Sequence, residues 1–428
     1  MFVSRTGGAR RRFLVGIAGA ALALALAVAW GGAAEAQDKK PLKIGFSMAL
    51  TGGLAGAGKS SLIGMQIWAE DVNAKGGVLG RQVELVYYDD QTNPATVPGI
   101  YTKLLDVDKV DFVVSAYGTN LIAPAMPIIM QRGKVFVGLG GLAVNEEYKY
   151  DKYFQITPMG PDPRRGWSQG YFELAKAAGL KRLAIVAADA EFAQNSADGA
   201  RLNAKDFGME IVYDKSYPPP TADFSPIVRA INATNPDVVF VASYPPDSTG
   251  MVRAASEVGL APSIKMFGGS MVGPQYYAIA NALGEQLNTM VNFDIYVAEP
   301  TLKFPGIEEF IAKYRPRAEK EGVDPIGHYL APSGYAYLQV LAAGIEGTKS
   351  LDDAKIAAWI HANEIDTIVG RAKFAPNGEW AKPRIFFVQY TGLEKNKAGE
   401  QFKGPGSRPI LFPAEFKTGT WKPYSAAR

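Results

Sequence analysis

From residue 42 onward, short apolar runs alternate with longer stretches of helical period. The runs at 42–49, 83–88, 112–115 and 135–138, and a second set at 183–188, 210–213, 238–242 and 265–267, read as strands. Val238-Val239-Phe240-Val241 is apolar without alternation, as in a parallel-sheet strand covered by helices on both faces. Between the strands, Leu62, Met65, Ala69 and Val72 recur at spacings of three and four and lay one apolar stripe along a helix. Gly76-Gly77 stops that helix, and Ser225 before Pro226 predicts an N-cap. The Pro218-Pro219-Pro220 run marks a surface loop. After residue 292 the helical period returns at 307–320, 329–347 and 352–362, and a hairpin-like stretch follows from 367 through Asn377-Gly378 to 390. The pattern is βαβ, repeated twice. It predicts an α/β fold of two doubly wound parallel-sheet lobes, with the ligand cleft between them at the carboxyl ends of the strands.

The first 36 residues read as an address and not as structure. Arg10-Arg11-Arg12 precedes an apolar stretch at 13–30, and Ala34-Glu35-Ala36 forms an A-x-A cleavage site before Gln37. The arginines also approach a twin-arginine export pattern, with Ala9 where Ser or Thr is usual. A cleavable signal peptide and an exported compartment are expected. The segment holds four arginines and one glutamate, so removing it from 45 basic and 42 acidic residues leaves 41 of each. The basicity of the full chain therefore carries no message about nucleic acid, and no nucleic-acid partner is expected. No later stretch has the ~20 apolar residues of a membrane span.

The chain has 428 residues, enough for about two domains by the usual ~100–200 residues each. With no cysteine and only His328 and His361, a thiolate nucleophile is excluded, no Cys/His metal site is expected, and a Ser-His triad would have to recruit one of those two histidines. Neither metal nor cofactor is expected. Gly53-Leu54-Ala55-Gly56-Ala57-Gly58-Lys59-Ser60 satisfies the phosphate-loop spacing, with Asp89 ending a strand that could hold magnesium, and keeps an NTPase as an alternative. The competing reading is a loop of small residues that lets a ligand or the opposing lobe approach.

A second candidate follows the third strand, where Tyr117, Gly118, Thr119 and Asn120 precede a helix. Thr119 or Asn120 would cap it, and its free amides suit a carboxylate. The fourth strand ends in Gly138-Leu139-Gly140-Gly141, adjacent in the sheet, where missing side chains expose the backbone. Phe192, Tyr244 and Tyr329 follow strands or open helices and could face the cleft. The adjacent carboxylates Asp89-Asp90 and Asp352-Asp353 receive no catalytic role, because neighbouring strand residues point to opposite faces and helix-start acids serve the dipole.

These residues also carry a resemblance. Leu42-Lys43-Ile44-Gly45, Leu50-Thr51-Gly52, Val72-Asn73-Ala74-Lys75-Gly76-Gly77, Gly80-Arg81, Tyr88-Asp89-Asp90, Asp223-Phe224-Ser225, Tyr244-Pro245-Pro246-Asp247 and Asp366-Thr367-Ile368-Val369-Gly370 look like the leucine/isoleucine/valine-binding family of periplasmic solute-binding proteins. The resemblance implies two lobes joined by a three-stranded hinge, with crossovers near Thr157, Val297 and Phe386. Lobe 1 would be 42–157 plus 297–386, and lobe 2 would be 158–296 plus 387–428. It also implies a non-enzymatic monomer that closes on one small carboxylate-bearing molecule and delivers it to an inner-membrane ABC permease. A sensory role, with a receptor in place of the permease, is the other reading. Carried over by position, the family's carboxylate contacts fall on Thr119 and Gly140, and its aromatic walls on Phe192, Tyr244 and Tyr329. The two side chains that grip an α-ammonium fall on Leu142 and Ser270, and a first-loop tyrosine falls on Ala57. A buried cation without a partner is costly, so the departures favour an aromatic or keto acid over an amino acid. Asp189, Glu191 or Asp247 could supply the missing acid from another direction.

Overall fold

The structure, a computed structural model, describes residues 1–2, 40–219 and 221–425. The expected signal peptide falls almost entirely at residues outside that set. Strand β1 (Leu42–Met48) runs between β2 (Val83–Asp89) and β3 (Phe112–Val113), all parallel. Alternate residues Leu42, Ile44, Phe46 and Met48 are buried. The sheet continues into β4 (Phe136–Gly138) and β5 (Tyr153–Gln155), which pair in parallel. The Ser115 amide reaches the Val137 carbonyl at 3.0 Å, and the Gly118 amide reaches that of Leu139 at 3.0 Å. Against this layer the helix Ala55–Ala74 packs on Ala331–Thr348. Glycines bring the two backbones together: a Cβ on Gly64 would sit 2.2 Å from the Ala331 carbonyl oxygen, and one on Gly334 2.6 Å from that of Ser61.

The second sheet has seven strands. β6 (Arg182–Ala188), β7 (Glu210–Tyr217), β8 (Val238–Ser243), β9 (Met266–Met271) and β10 (Val291–Asp294) are parallel, in the order β10-β9-β8-β6-β7. Every residue of β8 is buried, as the unbroken apolar run predicts. Between β10 and the next strand of this sheet in sequence lies a separate hairpin of β11 (Glu364–Thr367) and β12 (Gly370–Lys373). β13 (Phe386–Gln389) and β14 (Ile410–Phe412) then add antiparallel strands beyond β10. The chain thus passes from the first sheet to the second after β5. It returns after β10 to the helices Ile307–Glu321 and Ala331–Thr348, and leaves again before β13.

Several local expectations are corrected. The stretch from 367 to 390 is not one hairpin: the reversal at Ile368-Val369 belongs to β11–β12, Asn377-Gly378 turns the following segment between the bridged Phe374 and Trp380, and β13 pairs elsewhere. Ser225 is the first residue of the helix Ser225–Ala233 and not its cap; its amide is held by the Asp223 carboxylate at 2.8 Å. Among the described residues no helix is long and apolar enough to cross a membrane.

Candidate ligand cleft

The first wall of the site grows from the ends of β3 and β4. Tyr117 bridges Leu139, and Gly118, at φ 92°, turns the chain into the helix Thr119–Ile122. Only a residue free of a Cβ takes that dihedral without strain. Gly118 is therefore the cap position, and neither Thr119 nor Asn120 caps the helix with its side chain. Both are used otherwise. Thr119 Oγ1 accepts the Leu142 amide at 2.9 Å, which leaves its own proton free to donate. Asn120 Oδ1 accepts the Tyr244 hydroxyl at 2.5 Å. Gln155 at the end of β5 shapes the neighbouring loop: its Oε1 takes the amides of Gly140 and Thr157, each at 3.2 Å, and its Nε2 donates to the Gly141 carbonyl at 2.7 Å. Thr157 Oγ1 is buried beside them and has no hydrogen-bond partner.

The facing wall comes from the seven-stranded sheet and is aromatic. Trp167, on the helix Pro163–Ala177, donates its indole N–H to Ser270 Oγ on β9 at 2.8 Å. Its ring meets Phe192 edge-on, with centroids 5.5 Å apart, and Phe293 at 4.6 Å. Phe192 opens the helix Glu191–Asp206, and Tyr244 sits at the N-cap of Pro245–Val258, their centroids 5.6 Å apart. Tyr329 closes the circle against Phe293 at 6.0 Å. Such ring pairs add roughly 0.5–1.5 kcal/mol each beyond the area they bury. Burial, then Tyr117 and Glu191, hold the Tyr244 phenol well above the ordinary tyrosine range, so it stays a neutral donor.

Tyr117, Thr119, Gly140, Phe192, Tyr244 and Tyr329 therefore line one cavity, joined by Thr157, Trp167, Val272 and Ile295. The cavity is about 20 Å³, room for about one water. Gly141 and Leu142 stand behind the Gly140 wall. Leu142 is fully buried, and its carbonyl accepts Asn195 Nδ2 at 3.1 Å. Ser270 is also fully buried and is screened from the cavity by Trp167. Asn120 lies on the far side of its bond to Tyr244, in a neighbouring cavity of about 270 Å³. None of Asp189, Glu191 and Asp247 lines the small cavity. Asp247 instead meets the Tyr217 hydroxyl at 3.3 Å and borders the neighbouring one. As cavity-lining residues Trp167 and Thr157 escaped the sequence reading, which named Thr157 only as a crossover: one is mid-helix and the other follows a three-residue strand, and no local pattern marks either as facing a ligand.

The phosphate-loop spacing does not form a phosphate loop. Its residues wind into the helix from Ala55, where the Gly58 amide already bonds the Leu54 carbonyl at 3.0 Å and Ser60 Oγ bonds the Tyr314 hydroxyl at 2.6 Å. A Cβ on Gly58 would fall 1.9 Å from the Ala49 carbonyl oxygen, so close packing accounts for that glycine. Asp89 is occupied by the amides of Leu50 and Gln91, at 3.0 and 2.8 Å, and by the Thr51 hydroxyl at 2.7 Å.

Two α/β lobes facing each other across an aromatic cleft define a bilobal solute-binding protein. Residues 41–398 match the periplasmic binding protein family, and the chain belongs to it, in the leucine/isoleucine/valine-binding type. It is 26% identical over 369 residues to the Leu/Ile/Val-binding protein of Escherichia coli, covering 84% of this chain and 93% of that one. It is 26% identical over 344 residues to an amino acid binding protein of Pseudomonas aeruginosa, covering 76% and 86%. Among solved structures it superposes on a solute-binding protein of an R. palustris ABC transporter in complex with benzoate, with TM-score 0.70, 16% identity and coverage of 87% and 95%. It also superposes on a branched-chain amino acid transporter substrate-binding protein of Streptococcus pneumoniae in complex with isoleucine, with TM-score 0.67, 18% identity and coverage of 87% and 100%.

Proposed function

We propose that this protein is a periplasmic, non-enzymatic solute-binding protein that captures a small carboxylate with an apolar or aromatic body and delivers it to an inner-membrane ABC permease. The relatives divide between amino acids and aromatic acids in the ligands their names record, so the site has to decide. The observation that carries the reading is that no carboxylate among the described residues lines the cavity, while the Ser270 position is closed off by the Trp167 indole and the Leu142 position is apolar and buried. An α-ammonium placed there would lose its water and gain no counter-charge, a cost of several kcal/mol. A carboxylate fares better. It finds the free proton of Thr119 Oγ1, the unpartnered Thr157 hydroxyl and the first amides of the helix at Thr119, which have no acceptor within the helix.

In this reading the hinge runs through the crossovers near Thr157, Val297 and Phe386, the chain acts as a monomer, and closure brings Phe192, Tyr244 and Trp167 onto the ligand body. The test is a thermal-shift screen of the purified protein against leucine, valine, amides, keto acids, benzoates and arylalkanoic acids at matched concentration. A ligand at 100 times its Kd adds roughly 2.7 kcal/mol of stability, enough for a visible shift. Stabilisation by aromatic or keto acids, with none by amino acids, is the expected result. Stabilisation confined to leucine or valine would overturn the carboxylate-without-ammonium reading, and turnover of a bound compound would overturn the non-enzymatic one.

A further inference from the structure

The turn from Ala375 to Trp380 is pressed against the place where the chain leaves the first sheet. Its Gly378 carbonyl accepts the Gln155 amide at 2.9 Å, and a Cβ on Gly378 would fall 1.8 Å from the Tyr153 carbonyl oxygen. Past the crossover near Thr157, the Pro161 carbonyl accepts Asn377 Nδ2 at 2.9 Å, and Asn145 Nδ2 donates to the Asn377 carbonyl at 2.9 Å. The loop that follows grips the same stretch, since the Arg384 amide bonds the Pro158 carbonyl at 2.7 Å just before β13. A turn that leads toward one crossover is thus seated on another.

Glu379 stands in this turn at 1% exposure, and neither of its carboxyl oxygens has a hydrogen-bond partner among the described residues. A buried carboxylate is ordinarily paired or hydrogen-bonded, because a charge with neither is costly. The cations at either end of the turn are engaged elsewhere. Lys373 Nζ donates to the carbonyls of His361 and Ala362 at 3.1 and 2.8 Å, and the Arg384 guanidinium lies 4.7 and 5.0 Å from the ring centroids of Phe304 and Trp380. The ionisable groups that face Glu379 are Tyr153 on β5 and Glu146 on the helix Val144–Tyr148. Glu146 in turn pairs with Arg164 on the helix Pro163–Ala177, with Asp162 beside it. Burial, and then Glu146, push the Glu379 carboxyl well above the ordinary glutamate range, so it keeps its proton.

Resting on the hinge read above at these crossovers, we infer that Glu379 is a proton-operated latch between the lobes. With its proton on, the turn stays dry and seated on the crossover, and the Glu146–Arg164 pair beside it ties the two walls. With its proton off, two carboxylates stand in each other's field, and the water that Glu379 then demands unseats the turn and lets the lobes part. The closed arrangement holds a proton that the open one gives up in the ordinary glutamate range, so closure is favoured in acid and lost as pH rises.

The chain has no cysteine, so spin labels on Ala95→Cys and Arg253→Cys report the width of the cleft by double electron–electron resonance. Both positions are exposed, and Pro94 and the start of the helix Pro245–Val258 face each other across the cavity beside the cleft. In the labelled, ligand-free protein the closed-to-open ratio should fall between about pH 5 and 8, by as much as about tenfold per pH unit. Glu379→Gln, neutral throughout and close in shape, should remove that dependence and keep the closed distance at the alkaline end; Glu379→Met should do the same and serves where the amide disturbs folding. Glu146 and Asp162 remain in both variants, so a dependence that survives in them overturns the latch. A native distance that ignores pH but lengthens in Tyr244→Phe, which cuts the tie to Asn120, also overturns the latch while the hinge stands. A distance moved by neither would overturn both.

Discussion

At the scale of single residues, the indole of Trp167 decides the chemistry of the cleft, because it stands between the cavity and the Ser270 hydroxyl. Trp167→Phe keeps most of the apolar wall and strips the bond from a fully buried serine, so it should destabilise the fold by about 1–3 kcal/mol. Equilibrium urea unfolding reads that loss directly, and an unchanged midpoint and slope would contradict it. On the other wall, Thr119→Val removes both the acceptor of the Leu142 amide and the donor offered to a carboxylate. Hydrogen bonds to charged groups contribute roughly 1.5–3 kcal/mol, so carboxylate affinity should fall about ten- to hundredfold in titration calorimetry. Asp90 is fully buried at the end of β2, and burial raises its pKa to about 6 in spite of the Thr92 amide it accepts at 3.0 Å. An unfolded aspartate has released its proton near pH 4, whereas the folded one holds it to about pH 6. The folded state thus binds more protons across that window, and stability falls as pH rises through it. Asp90→Asn should flatten the stability profile between about pH 4 and 6 and leave the variant more stable than the native chain at pH 7; an unaltered profile would show that Asp90 titrates elsewhere.

At the scale of elements, the end of β10 is held by a buried charge network. Asp294 pairs with Arg408 at 2.7 Å, and both are essentially inaccessible, at 0% and 2% side-chain exposure. The Arg408 guanidinium also reaches His328 Nδ1 at 3.0 Å, and burial followed by the two arginines keeps that imidazole neutral. Arg408→Met strands the Asp294 carboxylate and should cost about 3–5 kcal/mol, while Asp294→Asn in the same chain should restore part of it, because replacing both members of a buried pair is far less costly than removing one. Thermal unfolding of the single and double variants checks both halves of the expectation. Legibility at this scale followed the physics. Strands such as β8 were visible because a two-sided burial demands an unbroken apolar run. β13 was not recognised as the partner of β10, nor β14 as the strand beyond it, because the β10–β13 pairing is antiparallel and spans about a hundred residues, which no local period reports. Thr119 lines the small cavity, but not in the way its place before a helix suggests: its hydroxyl organises the Leu142 loop and does not cap the helix.

At the scale of the whole molecule, the two walls are already tied together. Tyr244 bonds Asn120, Asn195 bonds the Leu142 carbonyl at 3.1 Å, and Arg164 pairs with Glu146 and bonds Asn195 Oδ1 at 3.1 Å. These contacts join elements of the two sheets next to the ligand cavity, so a ligand that fills the cavity and a closed arrangement favour each other. The bilobal architecture could be read from the doubled βαβ pattern. The proposed closure of an ammonium position could be read only as an absence, in Leu142 and Ser270, until the fold brought Trp167 against Ser270. The most direct test of that closure compares acids that differ only at the α-carbon. Isothermal titration of the purified protein with phenylpyruvate against phenylalanine, and with 4-methyl-2-oxopentanoate against leucine, keeps the carboxylate and the body constant and changes a carbonyl to an ammonium. An uncompensated buried ammonium costs several kcal/mol, so each keto acid should bind at least about a hundredfold more tightly than its amino acid. Amino acids binding as tightly as, or more tightly than, their keto acids would contradict the account, since the cleft would then have to contain an acceptor for the ammonium that the Trp167–Ser270 wall leaves no place for.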